Sequence, residues 1–251
     1  MNNSFLLEIA ANSAGSALAA QAGGAGRVEL FGNQEEGGTT PSYGVLALVR
    51  ERLRIPLFVL IRPRGGDFLY EEFELEAMRR DVRICRELGC DGIVIGALDA
   101  DGEVNTASCR ELISEAGSMS VTFHRAFDVV RDQEQALKDV ISLGCQRVLT
   151  SGARASALEG ADTIAALVRQ AGNRLSVVAG AGVNADNLAE LIERTGAREF
   201  HASATTTQRS KMRWQSAALR GLQADYACSD VERIRRMVQL LRQEPARSLS
   251  L

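Results

Sequence analysis

Short apolar runs of strand length alternate along this chain with longer stretches of helical periodicity, and the alternation persists to about residue 204. Eight runs read as strands: Leu6–Ala10, Arg27–Phe31, Leu57–Ile61, Gly92–Gly96, Ser120–His124, Arg147–Thr150, Leu175–Ala179 and Glu199–Ala202. The stretches between them read as helices, at Ser13–Ala22, Pro41–Arg52, Glu71–Leu88, Thr106–Ala116, Gln133–Leu143, Asp162–Gln170 and Ala185–Thr195. Several end in a glycine-containing turn just before the next strand, as at Gly23-Gly24-Ala25-Gly26, Gly89, Gly144 and Gly196, the expected chemistry of a helix C-cap. Ser13, Thr39 and Thr40 before Pro41, Thr106 and Asn184 read as helix starts, with Pro41 in a first turn.

Strand–helix alternation places the chain in the α/β class with a parallel sheet. Eight such units suit a closed (β/α)8 TIM barrel, whose usual size is about 250 residues. An open doubly wound sheet is disfavoured, because the glycine cluster at residues 23–26 precedes a strand instead of opening a helix, and no GxGxxG follows the first strand. After the barrel comes a polar segment, Thr205 to Ser229, and then an amphipathic helix from Asp230 to Gln243 with Val231, Ile234, Met237, Val238 and Leu241 on one face. We read it as an additional C-terminal helix, packed on the barrel or used as a subunit interface. The expected organisation is one domain, with a barrel over residues 1–204 and a C-terminal segment and helix over 205–251.

Composition narrows the partners. The 251 residues carry 29 basic and 32 acidic side chains, a formal charge of −3, with no basic block, which argues against nucleic acid. No uncharged window reaches the roughly 18 residues a membrane helix needs. Met1 to Phe5 lacks the positive region of a signal peptide, so a cytoplasmic location is expected. Five cysteines, odd in number and without CxxC spacing, read as reduced thiols. Lys138 and Lys211 are the only lysines, one mid-helix and one in the C-terminal segment, which removes Schiff-base chemistry.

In such barrels the chemistry sits at the C-terminal ends of the strands. Period-two counting puts Glu8 on the side of Leu6 and Ala10, Glu29 on the side of Arg27 and Phe31, Thr122 with His124, and Glu199 with His201 and Ser203. If those sides face inward, Glu8, Glu29, His124 and His201 converge in the mouth as acid–base or metal-ligand candidates, joined by Arg62, Arg125 and Asp128. Buried acid–arginine pairing is the structural alternative for Glu8, Glu29, Arg62 and Arg125. The turns Thr150-Ser151-Gly152 and Ala179-Gly180-Ala181-Gly182 let backbone N–H groups approach an anion, although glycine also serves ordinary tight turns. The connections Gln34–Pro41 and Arg62–Phe68 are binding-loop candidates.

Glu8, Arg27-Val28-Glu29-Leu30, Glu36-Gly37-Gly38-Thr39-Thr40-Pro41-Ser42, Ile61-Arg62-Pro63-Arg64-Gly65-Gly66-Asp67-Phe68, Thr122-Phe123-His124-Arg125-Ala126-Phe127-Asp128, Leu149-Thr150-Ser151-Gly152 and Glu199-Phe200-His201-Ala202-Ser203, in this order, closely resemble the CutC family. The resemblance runs from about Leu6 to Ala204. It implies a TIM barrel, a cytoplasmic homo-oligomer (dimer or tetramer), and a role in copper homeostasis with Cu(I) as the metal. Some members carry cysteine directly after the Glu-Ile of the first strand and the Glu-Leu of the second; here Ala10 and Phe31 stand there. Two function classes therefore stay open: a copper-handling protein, and an enzyme acting on a small anionic or phosphorylated substrate. A non-catalytic binding barrel is a third.

Overall fold

The computed structural model describes residues 5–214 and 224–243. Residues 1–4, residues 215–223 of the polar segment and the final stretch 244–251 lie outside the described residues, and with them those parts of the readings above.

Eight parallel strands close on themselves: β1 (Leu6–Ala11), β2 (Arg27–Leu30), β3 (Leu57–Leu60), β4 (Gly92–Ile95), β5 (Ser120–Phe123), β6 (Arg147–Thr150), β7 (Ser176–Gly180) and β8 (Glu199–Ala202), with β8 pairing back to β1. Around them run α1 (Ala14–Gly23), α2 (Tyr43–Arg52), α3 (Glu72–Glu87), α4 (Thr106–Ala116), α5 (Gln133–Ser142), α6 (Ala161–Ala171), α7 (Leu188–Thr195) and α8 (Val231–Gln243). The architecture is the (β/α)8 barrel that the alternation predicts.

The C-terminal helix packs on the barrel, the first of the two expectations. It is the eighth member of the helical ring, lying against α1 and α7 and so closing the circle. A side chain at Gly23 would meet Ile234 Cγ2 at 2.5 Å, so the contact of α1 with α8 needs the bare backbone there. Between β8 and α8 the polar segment forms an antiparallel hairpin, β9 (Thr205–Gln208) with β10 (Tyr226–Ser229).

Three helices end in one motif. Gly24, Gly89 and Gly144 take left-handed φ of 87°, 71° and 79°. The next residue donates its N–H back to the helix, Ala25 to Ala20 O, Cys90 to Cys85 O and Cys145 to Val140 O. This is the Schellman cap, whose last residue folds its side chain onto the helix it terminates. It accounts for Cys85, Cys90 and Cys145 as buried apolar packing.

Helix starts differ in detail. Ser42, not Thr39 or Thr40, caps α2, which leaves Pro41 outside the first turn, while Thr40 Oγ1 binds the backbone of Arg62. Asn105, not Thr106, caps α4. Asn184 accepts N–H bonds from Asp186 and Asn187 in an Asx turn, which delays α7 to Leu188.

The period-two side chains separate two interiors. Leu7, Ile9, Val28, Leu30, Ile93, Ile95 and Phe200 face the helices in one continuous apolar core, while Phe58, Leu60 and Val94 form a small separate cluster inside the barrel. Within the barrel, Arg27 lies opposite Glu8, Glu8 opposite His201, and Ala10 opposite Glu29. The barrel interior is therefore largely a polar space walled by eight strands.

Candidate functional site

The lower part of that interior is an ion-pair lattice. Arg27 Nε pairs with Glu8 Oε2, and Arg27 Nη2 with Glu199 Oε2 at 2.6 Å. Arg147 Nε reaches the same Glu199 oxygen at 3.0 Å, and its Nη1 donates to Ser120 Oγ at 2.7 Å. Both guanidinium groups stack on Phe58, at 4.9 and 5.2 Å from the ring centroid. A side chain at Gly92 would strike that ring at 2.6 Å, so the glycine makes room for it. Burial pushes Glu8 up, but Arg27 and His201 outweigh it and hold the carboxyl at about 2. Glu199 is held down too, burial being overcome by Arg27 and Arg147.

Acid–arginine pairing, expected among Glu8, Glu29, Arg62 and Arg125, takes place at Glu8 with Arg27. Arg27 and Arg147 were not among the site candidates. The readable signal was an arginine opening each strand on the inward side, two residues before Glu29 in one case and before Leu149 in the other.

Higher in the barrel the pairing is incomplete. His201 Nδ1 lies 2.7 Å from Glu8 Oε1 and 3.8 Å from Glu29 Oε2. Glu29 Oε2 is buried and has no hydrogen-bond partner among the described residues. Burial raises its pKa to about 7; His201 and Arg27 oppose the rise and Glu8 adds to it. His201 is raised, since Glu29 and Glu8 outweigh its own burial.

His124, at the end of β5, accepts the Ala126 N–H on Nδ1 at 3.1 Å, which places the ring proton on Nε2. Nε2 is buried without a partner, as is Thr122 Oγ1 one layer below. Burial, and then the Arg62 charge, push His124 down to about 3, so it is a neutral N–H donor at physiological pH. A side chain at Gly96 would meet His124 Cε1 at 2.4 Å; that glycine seats the ring.

Arg62 holds the expected binding loops together. Its Nη1 donates to Glu36 O and Gly38 O, both at 2.8 Å, its Nη2 donates to Gly66 O at 2.9 Å, and it stacks on Phe68. Only Nε is left unpartnered. Arg125 is half-exposed at the rim, bound to Asp128 at 2.7 Å and to Ser151 Oγ at 2.9 Å.

The cradle after β6 already holds an anion from within the chain. Asp128 accepts bonds from Thr150 Oγ1, Ser151 N–H at 3.0 Å, Ser151 Oγ at 3.0 Å and Ala153 N–H at 3.2 Å. The Gly152 N–H is taken by Thr150 Oγ1. Thr150, Ser151, Gly152 and Asp128 therefore form one internal unit that fixes the loop. The second turn faces the mouth instead. Gly182 lines the cavity, and Gly180 leaves space for Leu149 and His201, where a side chain would meet Leu149 Cδ1 at 2.6 Å.

These elements surround a cavity of about 470 Å³ whose wall includes Glu29, Arg62, His124, Arg125, Gly182 and His201. Ala10 and Phe31 also line it, and no cysteine or methionine does among the described residues. Glu8, Glu29 and His201 each bring one ligand atom within 4.8 Å of the others.

The CutC family model matches residues 5–206. The chain belongs to the CutC family. A CutC family protein of Xanthomonas campestris is 59% identical over 235 residues, covering 94% of this chain and 98% of that protein. The human copper homeostasis protein cutC homolog is 46% identical over 228 residues, covering 91% of this chain and 83% of its own. The CutC crystal structure from Streptococcus agalactiae superposes with a TM-score of 0.76 at 33% identity, over 79% of this chain and 98% of that one. A thiamine phosphate pyrophosphorylase of Pyrococcus furiosus, at 17% identity and a TM-score of 0.59, shares the fold alone. No helix of the described residues is long and apolar enough to cross a membrane.

Proposed function

We propose that this CutC-family protein binds and transforms a small anionic, oxygen-rich substrate, such as a phosphorylated metabolite, in the mouth of its barrel. The observation that carries this reading is that three residues lining one cavity each keep a buried polar atom without a partner: Glu29 Oε2, Arg62 Nε and His124 Nε2. Buried polar groups are ordinarily satisfied, and an unpaired one costs about 1–3 kcal/mol, so three among the residues of one wall favour a ligand there. His124 supplies a neutral N–H donor, Arg62 and Arg125 supply positive charge, and Glu8, Glu29 and His201 form the chemical end. The protein works in the cytoplasm as a homo-oligomer.

The family carries copper homeostasis in the name of the human relative, and a Cu(I) role is the second reading. Cu(I) prefers thiolate and thioether ligands. The cavity positions where other members carry cysteine hold Ala10 and Phe31, so the wall supports the anion reading better.

The test is native mass spectrometry of freshly purified protein, followed by a thermal-shift panel of sugar phosphates, carboxylates and inorganic phosphate against wild type and His124→Gln. A co-purified anion, or one that raises the melting temperature of wild type but not of the variant, supports the proposal. Protein that purifies empty and answers to no anion overturns it, and stoichiometric Cu(I) uptake in competition with a strong chelator moves the assignment to copper.

A further inference from the structure

We propose that Glu8, Glu29 and His201 hold a divalent transition-metal ion. The inference shares Glu8, Glu29 and His201 with the reading above but stands on their own geometry. The three residues come from adjacent strands, β1, β2 and β8, and their ligand atoms lie within 4.8 Å of one another. Adjacent strands of a closed barrel make a rigid frame, the condition for a preorganised site.

Glu8 is already oriented as a ligand. Its Oε2 is held by Arg27, which leaves Oε1 turned to His201. A basic residue fixing the second oxygen is the outer-shell arrangement that orients metal-bound carboxylates. Glu29 is the ligand without a partner. Its Oε2 lies 3.8 Å from His201 Nδ1, has no hydrogen bond, and belongs to a residue only 6% exposed.

Charge counting points the same way. In the lattice below, Arg27 and Arg147 are matched by Glu8 and Glu199. Glu29 is the carboxylate left over, and His201 is its nearest compensating group. The groups facing Glu29 are Glu8 from β1, Arg27 from its own strand and His201 from β8, with Arg62, His124 and Arg125 around the same cavity.

The donor set selects the metal class. Two carboxylate oxygens and one imidazole nitrogen suit Zn(II), Mn(II), Fe(II), Co(II) or Cu(II), and the absence of thiolate from the set disfavours Cu(I). Three protein ligands beside a cavity leave further coordination positions for water or substrate, the pattern of catalytic rather than closed structural sites.

The experiment is a Co(II) titration of metal-stripped protein followed by visible absorption, with Glu29→Gln, His201→Gln and Cys228→Ser in parallel. At pH 8 wild type should take up a single equivalent, with ligand-field bands and no thiolate charge-transfer band. Affinity should fall at least about 100-fold in Glu29→Gln and His201→Gln and stay unchanged in Cys228→Ser. Circular dichroism checks that each variant folds, and the neutral amide of Glu29→Gln is well suited to its buried site. No stoichiometric uptake at pH 8, uptake that survives both ligand substitutions, or a thiolate band overturns the proposal. The anion panel run on metal-stripped protein separates the two ideas: an anion response without metal uptake defeats this inference alone, and metal uptake without an anion response defeats the substrate reading alone.

Discussion

The base and the mouth of this barrel are built from the same residue types and treat them in opposite ways. At the base, Arg27, Arg147, Glu8 and Glu199 satisfy one another, and Phe58 receives both guanidinium faces. At the mouth, Glu29 and His124 are equally buried, yet each keeps an atom with no partner. Burial alone does not separate the two regions; completeness of pairing does, and Glu8 spans both, its Oε2 held by Arg27 and its Oε1 turned to His201. A paired lattice returns the desolvation cost of its members, whereas an orphan carries that cost until something else binds.

The comparison breaks most sharply at Arg27. Arg27→Met leaves Glu8 and Glu199 buried without their shared partner, and urea denaturation should show a loss of about 3–5 kcal/mol. A loss under about 1 kcal/mol would mean that the lattice does not hold the barrel together.

Glu29→Gln should do the reverse. Its folded pKa of about 7 lies above the ordinary 4.5, so the folded protein holds a proton that the unfolded chain has released. That penalty is fully present above about pH 7 and absent below about 4.5. The substitution should therefore stabilise the protein at pH 8 by something on the order of 3 kcal/mol, and by little at pH 4, while ending function at the mouth. A destabilised Glu29→Gln at pH 8 would place Glu29 with the base residues.

His124 sharpens the contrast through pH. Its folded pKa of about 3 lies below the ordinary 6.5, so on acidification the unfolded chain gains the proton first. Its contribution is complete above pH 6.5 and is lost at about 1.4 kcal/mol per pH unit below that. The difference in stability between wild type and His124→Gln, followed by denaturation from pH 7 to 4.5, isolates this slope from the carboxylates that titrate alongside. Parallel curves would show that His124 is not held neutral.

The smallest effect is expected at Thr150→Val, which removes the hydroxyl that donates to Asp128 and accepts the Gly152 N–H, while Ser151 and Ala153 still hold the carboxylate. About 2 kcal/mol should be lost, with anion binding at the mouth unchanged. Weakened anion binding would show that the loop after β6 faces the ligand after all.

Much of this was legible in the chain. Alternating periods and glycine caps determined eight βα units and hence the closed barrel, because helix and strand periodicity are local properties. Period-two counting also determined which residues share a side of each strand, since side-chain direction follows from the residue before it; the closed barrel decided that the side of Glu8, Glu29 and His201 faces inward. What only the tertiary structure decided is who meets whom. Arg27 and Glu199 stand 172 residues apart and become partners because β1, beside β2, is also the neighbour of β8. The same closure brings Asp128 under the turn after β6, so that amides suited to an outside anion receive an internal one. It also turns the last amphipathic helix into the eighth wall of the ring. Pairing in a closed sheet is set by register and distance across the barrel, quantities that no local pattern encodes; that is why the sequence named Glu29 and His124 as candidates and only the folded chain showed that each keeps a buried atom unpaired.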